Sequence, residues 1–172
     1  MNHVTIRTGV LEDLPRLTEI HNHYVVNTHV TFDVEPFSRE QRIRWFHEHS
    51  DGHRCRLVVA EKLGAGVLGY AATGYFRPKA AYATTVEASI MCDPAAIGQG
   101  MGTDLYHALF KLVAKEDIHR IVAGIVQPNA ASNALHEKFG FKAVGTFTAA
   151  GRKFGKYWDV KWMERPLTDG WL

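Results

Sequence analysis

A chain of 172 residues can build one domain with a substantial core and is too short for two of ordinary size. Its 20 Lys and Arg are interspersed with 18 Asp and Glu for a net charge of +2, so no basic stripe argues for nucleic acid and no charged block argues for a tail. Cys55 and Cys92 lie far apart with no Cys-x-x-Cys pair, no apolar run nears the roughly 20 residues that span a bilayer, and the N-terminus lacks a basic-then-apolar signal. These features set the expectation: one cytoplasmic domain over residues 1–172 with a small-molecule partner, no nucleic acid and no membrane.

Residues 4–7 predict a short strand, and Leu11, Leu14, Leu17 and Ile20 then recur every three residues, which marks a helix with Pro15 in its first turn. Residues 22–36 lose that period and read as a long connection able to line a site. Ser38 with Gln41 is a capping box for a second helix through Ile43, Trp45 and Phe46, which Gly52 is expected to stop. Residues 57–62 and 67–75 read as an antiparallel hairpin turned at Leu63-Gly64-Ala65-Gly66, and Arg77-Pro78 ends the run. A strand ending at Cys92 and a helix over residues 102–115 follow. Residues 121–126 form a buried strand, and Asn129 opens a helix that Gly140 closes. Residues 141–147 and 157–163 are two closing strands linked through residues 149–155. The order is not the strict alternation of a doubly wound sheet. It predicts an α/β (α+β) fold, a mixed and mostly antiparallel sheet with helices on both faces.

Between strand and helix lies Gly98-Gln99-Gly100-Met101-Gly102-Thr103. Glycines let a backbone approach a ligand closely, and the first turn of a helix offers unpaired N–H groups, so this stretch is an anion cradle suited to a pyrophosphate. A P-loop is excluded because no lysine precedes Thr103, and the spacing is not that of a dinucleotide-binding turn.

Glu87 lies one residue out of phase with Val86, Ala88 and Ile90, so it leaves the strand on the opposite face. There it is either a solvated carboxylate or, in a cleft, a general base. His136 on the last helix is open to a packing or a catalytic reading. His21, His23, His47, His49 and His53 do not predict a metal site, because helical His-x-His points its rings about 200° apart. Ser89 and Ser132 lack the glycine-flanked turn of a serine nucleophile.

Two ordered blocks carry a family resemblance. Ile97-Gly98-Gln99-Gly100-Met101-Gly102 resembles the acetyl-CoA signature of the Gcn5-related N-acetyltransferase (GNAT) superfamily, with Ile97 where Arg or Gln usually stands. Asn129-x-x-Ser132-x-x-Leu135-His136-Glu137-Lys138-x-Gly140-Phe141 resembles the segment that flanks the pantetheine arm. More narrowly, Asn22-His23-Tyr24, Phe32-Asp33-Val34-Glu35-Pro36, Phe76-Arg77-Pro78, Tyr82, Thr85-Val86-Glu87-Ala88-Ser89, His136 in place of the superfamily's tyrosine, and Ala150-Gly151-x-Lys153-Phe154-Gly155-x-x-x-Asp159 are similar to phosphinothricin and methionine sulfoximine N-acetyltransferases. That family usually has Tyr where this chain has Met91 and Trp where it has Phe76.

The resemblance implies a GNAT fold with a splayed strand pair, acetyl-CoA as co-substrate with no metal, and a homodimer. It implies direct transfer to the α-amino group of a small amine that bears a carboxylate. Glu87 takes the role of general base, through a water, and His136 sits at the reacting centre, able to protonate the leaving thiolate. Backbone N–H groups near Met91 or Cys92 polarise the carbonyl. Ile90, Met91, Cys92, Gly98, Gln99, Gly100, Met101, Gly102, Thr103, Asn129, Ser132 and Lys138 bind the cofactor. Arg77, Tyr82, Phe32 and Lys153 bind the substrate, with Arg77 on its carboxylate. The alternatives are acetylation of another amine, such as a protein N-terminus or a polyamine, and an acetyl-CoA-binding protein without catalysis.

Overall fold

The computed structural model describes residues 4–50 and 54–167; Gly52 and His53 lie outside them. The elements are β1 (Val4–Thr8), α1 (Leu14–Asn27), α2 (Arg39–Ser50), β2 (Leu57–Lys62), β3 (Gly66–Tyr75), β4 (Thr85–Cys92), α3 (Met101–Val113), β5 (Arg120–Val126), α4 (Ala130–Lys138), β6 (Lys142–Lys153) and β7 (Lys156–Pro166). The strands form a seven-stranded sheet in the order β1-β2-β3-β4-β5-β7-β6, antiparallel except where β4 meets β5. The mixed, mostly antiparallel sheet expected from the sequence is borne out.

Strand alternation divides the core. Val58, Ala60, Ala71, Val86 and Ala88 face α3, whose Leu105, Leu109 and Val113 are fully buried at helical spacing. Leu57, Val59, Tyr70 and Ala72 face the other way, onto Leu14, Leu17 and Ile20 of α1 and Phe46 of α2. Helices therefore cover both faces. Among the described residues, no helix is long and apolar enough to cross a membrane.

The capping box at the start of α2 is formed: Ser38 N donates to Gln41 Oε1 at 2.8 Å, and Gln41 N donates to Ser38 Oγ at 3.3 Å. Two expectations need correction. The helix α1 does not give way at Asn22 but runs to Asn27, because Tyr24 and Val25 continue its apolar stripe and Thr28 caps Tyr24 O through both its N–H and its Oγ1. Asn22 is also used sideways, exchanging hydrogen bonds with the backbone of Phe37. The connection is thus a strap over residues 28–37, clipped to α1 at both ends.

The second correction concerns residues 149–155, which are not a loop between two short strands. The β6–β7 ladder continues to Lys153↔Lys156 around a turn at Phe154 and Gly155, both at positive φ. Extra residues bulge out between Phe147 and Gly151, where Ala149 adopts φ 53° and donates its N–H to Asp159 Oδ1 at 2.7 Å. A Cβ on Gly151 would fall 2.2 Å from the ring of Phe32 on the strap, so any side chain there must push that ring aside.

Candidate active site

The site begins where the sheet comes apart. β4 and β5 pair in parallel only at Thr85↔Arg120, Val86↔Ile121 and Glu87↔Val122, whereas β3 pairs with β4 all the way to Cys92. Beyond Glu87 one edge of β4 faces a gap, and backbone N–H and C=O groups there have no strand to pair with. A cavity of about 990 Å³ passes through the gap from one face of the sheet to the other.

Glu87 stands at the apex of the splay, lining this cavity and half-buried. It shares its face with Met91, while Val86, Ala88 and Ile90 turn to α3. Burial raises its pKa above the usual carboxylate range, and the charge of Arg77 partly opposes the shift. A carboxyl in this setting can hold or release a proton near the pH at which an amine must lose one.

On the α3 side, Gly98 and Gly100 adopt φ +83° and +81°, and nothing lies within 4 Å of where a Cβ on either would stand. Gly100 is the N-cap of α3, so the unpaired N–H groups of the first turn open onto the cavity. Ile90, Met91, Cys92, Met101, Gly102, Thr103, Asn129 and Ser132 also line it. Gln99 and Lys138 do not, though Lys138 Nζ donates to Thr103 Oγ1 at 3.0 Å and so stands beside the loop. Burial and the neighbouring Asp93 push the Cys92 thiol up to about 11, which keeps it protonated and inert at neutral pH.

His136 also lines the cavity and is 3% exposed. Its Nδ1 lies 2.7 Å from Ser132 O, an acceptor only, so the ring's proton sits there. Its Nε2 lies 2.9 Å from Tyr106 Oη and accepts from that hydroxyl. Burial lowers the pKa of His136 and raises that of Tyr106, which favours this neutral pair. The sequence reading missed Tyr106, which lies 30 residues away on another helix and looks like one more core aromatic of α3.

The expected substrate residues part company. Phe32 lines the cavity from the strap. Lys153 does not: it is 4% exposed and donates to Thr31 O at 2.9 Å, anchoring the strap from beneath. Arg77 and Tyr82 line a separate, smaller cavity of about 470 Å³ with Arg54 and Lys79. Phe76 joins the two cavities, with its ring 5.5 Å from Tyr82 and 5.9 Å from Trp162, which lines the main one. His21, Tyr24, Asp33, Trp45 and Tyr70 complete the α1–α2 side of the main cavity, all outside the sequence-based site. Among the described residues, no group of three or more His, Cys, Asp or Glu is arranged to hold a metal ion.

A helix N-terminus opened by glycines on one face and a half-buried carboxylate reached from the other define a group-transfer enzyme that works through a gap in its own sheet. Residues 6–162 match the acetyltransferase (GNAT) domain family, and the chain belongs to that family. It is 51% identical to a phosphinothricin N-acetyltransferase of Streptomyces coelicolor, over 95% of this chain and 96% of that one. It is 34% identical to an L-methionine sulfoximine/L-methionine sulfone acetyltransferase of Pseudomonas aeruginosa, over 95% and 94% of the two chains. A crystal structure of a phosphinothricin acetyltransferase from Sinorhizobium meliloti in complex with acetyl-CoA superposes with a TM-score of 0.91 at 33% identity, covering 97% of this chain and 90% of that one. The protein is an acyltransferase with acetyl-CoA as its co-substrate, and the open space above Gly98 and Gly100 fits that ligand.

A first prediction follows from those glycines. The Cβ of Gly100→Val has no protein atom within 4 Å, so its main cost to the fold is the left-handed backbone, at least about 1–2 kcal/mol for a β-branched residue. Its side chain projects where a ligand's phosphates would approach, and acetyl-CoA affinity measured by calorimetry should fall at least about tenfold while the protein stays folded. Unchanged affinity would remove the cofactor from this loop.

Proposed function

We propose that this chain transfers the acetyl group of acetyl-CoA to the α-amino group of a small amino-acid analogue, with phosphinothricin and methionine sulfoximine as test acceptors. The observation that carries the reading is Glu87 at the apex of the β4–β5 splay, facing a cavity that continues to the glycine turn of α3. Acetyl-CoA supplies an activated acyl group on a good leaving thiol. Glu87 drains a proton from the acceptor ammonium, through a water, so that a free amine can attack; the C–N bond forms as the thioester C–S bond breaks, CoA leaves as its thiolate, and the proton the nitrogen then sheds reaches that thiolate through solvent. The unpaired edge of β4 near Met91 and Cys92 offers N–H groups for charge that develops on the carbonyl oxygen. Gly98 to Thr103 hold the pyrophosphate, and Asn129, Ser132 and Lys138 border the pantetheine arm.

His136 keeps its place at the reacting centre in this reading, with a changed task. Its proton is committed to Ser132 O and its other nitrogen to the Tyr106 hydroxyl, so in the neutral ring it orients Tyr106 and has no proton to spare for the thiolate. The chain is further proposed to act in the cytoplasm, where its free cysteines stay reduced, and as a homodimer, which sedimentation equilibrium tests as twice the chain mass. Thiol release from acetyl-CoA with a panel of amines tests the activity. Turnover of the amino-acid analogues above polyamines and peptide N-termini is the expected result. Turnover confined to the latter would move the function to another amine, and release with none would leave a binding protein.

A further inference from the structure

We infer that Asp33, held by His21 and Thr31 on the wall of the main cavity, sets the acceptor's side-chain preference, selecting an uncharged tip with an N–H or O–H donor over an anionic tip. The inference rests on the reading that Glu87 receives the acceptor's amine. With the amine there, and the carboxylate drawn toward Arg77, whose charge reaches Glu87, the remaining substituent is placed on the face opposite the glycine turn of α3. It enters the half of the cavity on the α1–α2 face, walled by Tyr24, Trp45, Tyr70 and Met91. Most of that wall is aromatic or apolar, and Asp33 supplies its carboxylate.

Asp33 is fixed in place. His21 Nε2 lies 3.0 Å from Asp33 Oδ2, and Thr31 Oγ1 donates to the same oxygen at 2.7 Å. His21 is 8% exposed, and its Nδ1 lies 3.1 Å from the Tyr70 hydroxyl, so the pair is braced from β3. Both hydrogen bonds fall on Oδ2, which leaves Oδ1 available as an acceptor on a residue that lines the cavity. The His21 contact, ahead of the Thr31 bond, holds the carboxyl below the usual carboxylate range, and it is ionised at neutral pH.

Lys153 acts on the Asp33 charge from behind, but the neighbouring cations stand outside the cavity wall. Arg42 is 1% exposed and packed with its guanidinium 3.9 Å from the Trp45 ring centre, and Lys153 is 4% exposed and spends a hydrogen on Thr31 O. Neither lines the cavity, and no other Lys or Arg among the described residues does. The ionisable groups on its wall are Glu87, Asp33, and the histidines, tyrosines and thiol already named. An anionic tip meets the Asp33 carboxylate in a partly desolvated space whose wall presents no Lys or Arg among the described residues. A neutral donor meets an acceptor that is acceptor-only.

The test compares acceptors that share a backbone and differ at the tip. Methionine sulfoximine has a neutral tip with an N–H, methionine sulfone a neutral tip without one, and phosphinothricin an anionic phosphinate. For the wild-type protein, kcat/KM should fall in that order, with at least a tenfold gap between the first and the last. Asp33→Asn keeps the shape and an acceptor for His21 and should shrink that gap at least tenfold, chiefly by improving phosphinothricin. A merely structural role would change all three acceptors alike and leave the ratio fixed. Equal efficiencies in the wild type, or an unchanged ratio in the variant, would overturn the inference with the amino-acid reading intact. Failure to acetylate any of the three would overturn both.

Discussion

Replacing Glu87 by glutamine should lower kcat by on the order of 10²-fold or more near neutral pH, because the amide keeps the shape of the side chain and cannot take a proton. An α-ammonium cannot attack a thioester, and near neutral pH most of the free amino acid is in that form. Burial raises the Glu87 pKa, with Arg77 opposing, so the carboxyl stays protonated to a higher pH than an exposed glutamate would. A base works only when ionised. The acidic limb of the wild-type kcat/KM profile should therefore lie above the ordinary carboxylate range, and it should vanish in the variant. Part of the lost rate should return as pH rises and solution deprotonates the amine, while acetyl-CoA affinity measured by calorimetry stays the same. A variant with near wild-type kcat from about pH 6 to 9 would make Glu87 a structural strand residue.

What the sequence disclosed is local. The capping box of α2, the β2–β3 hairpin with Gly64 and Gly66 at positive φ, and the glycine turn before α3 depend on residues a few positions apart, and each formed where its pattern lay. Glu87's face followed from strand period alone. Whether that face was solvent or a cleft did not, because this depends on β4 and β5 parting after three paired residues, a relation between segments 35 residues apart. The cavity wall shows the same limit. His21 and Asp33 meet only because α1 extends to Asn27 and the strap folds back across it, and Asn22, Asn27 and Thr28 look like helix-ending residues until their side chains are seen tying down backbone groups. Lys153 was misleading for a related reason. The family resemblance puts it on the substrate, but the β6–β7 ladder runs on to Lys153, which is buried and donates to Thr31 O under the strap.

Arg77→Ala should raise KM for a carboxylate-bearing acceptor by roughly 5-fold and leave acetyl-CoA affinity unchanged. A charge pair between a forked guanidinium and a carboxylate contributes about 2–5 kcal/mol when water is excluded from it. Arg77 is exposed, with its guanidinium 4.9 Å from the centre of the Phe76 ring, so screening by solvent cuts the loss to about 1 kcal/mol, which is the 5-fold stated. Its cavity is separate from the one Glu87 faces, and Phe76 lies between them, in contact with Tyr82 on one side and Trp162 on the other. A small amino acid with its amine at Glu87 and its carboxylate past Phe76 would span that boundary. The effect should appear in KM with kcat nearly unchanged, since a carboxylate remote from the reacting atoms is bound equally in ground and transition states. It should weaken in high salt, as expected for an exposed ion pair. Arg77→Lys should recover only part of it, because an ammonium cannot match the two-pronged geometry. A carboxylate-free amine is the control: if Arg77→Ala raises its KM as much, the arginine shapes the loop before β4 and does not read the substrate's charge.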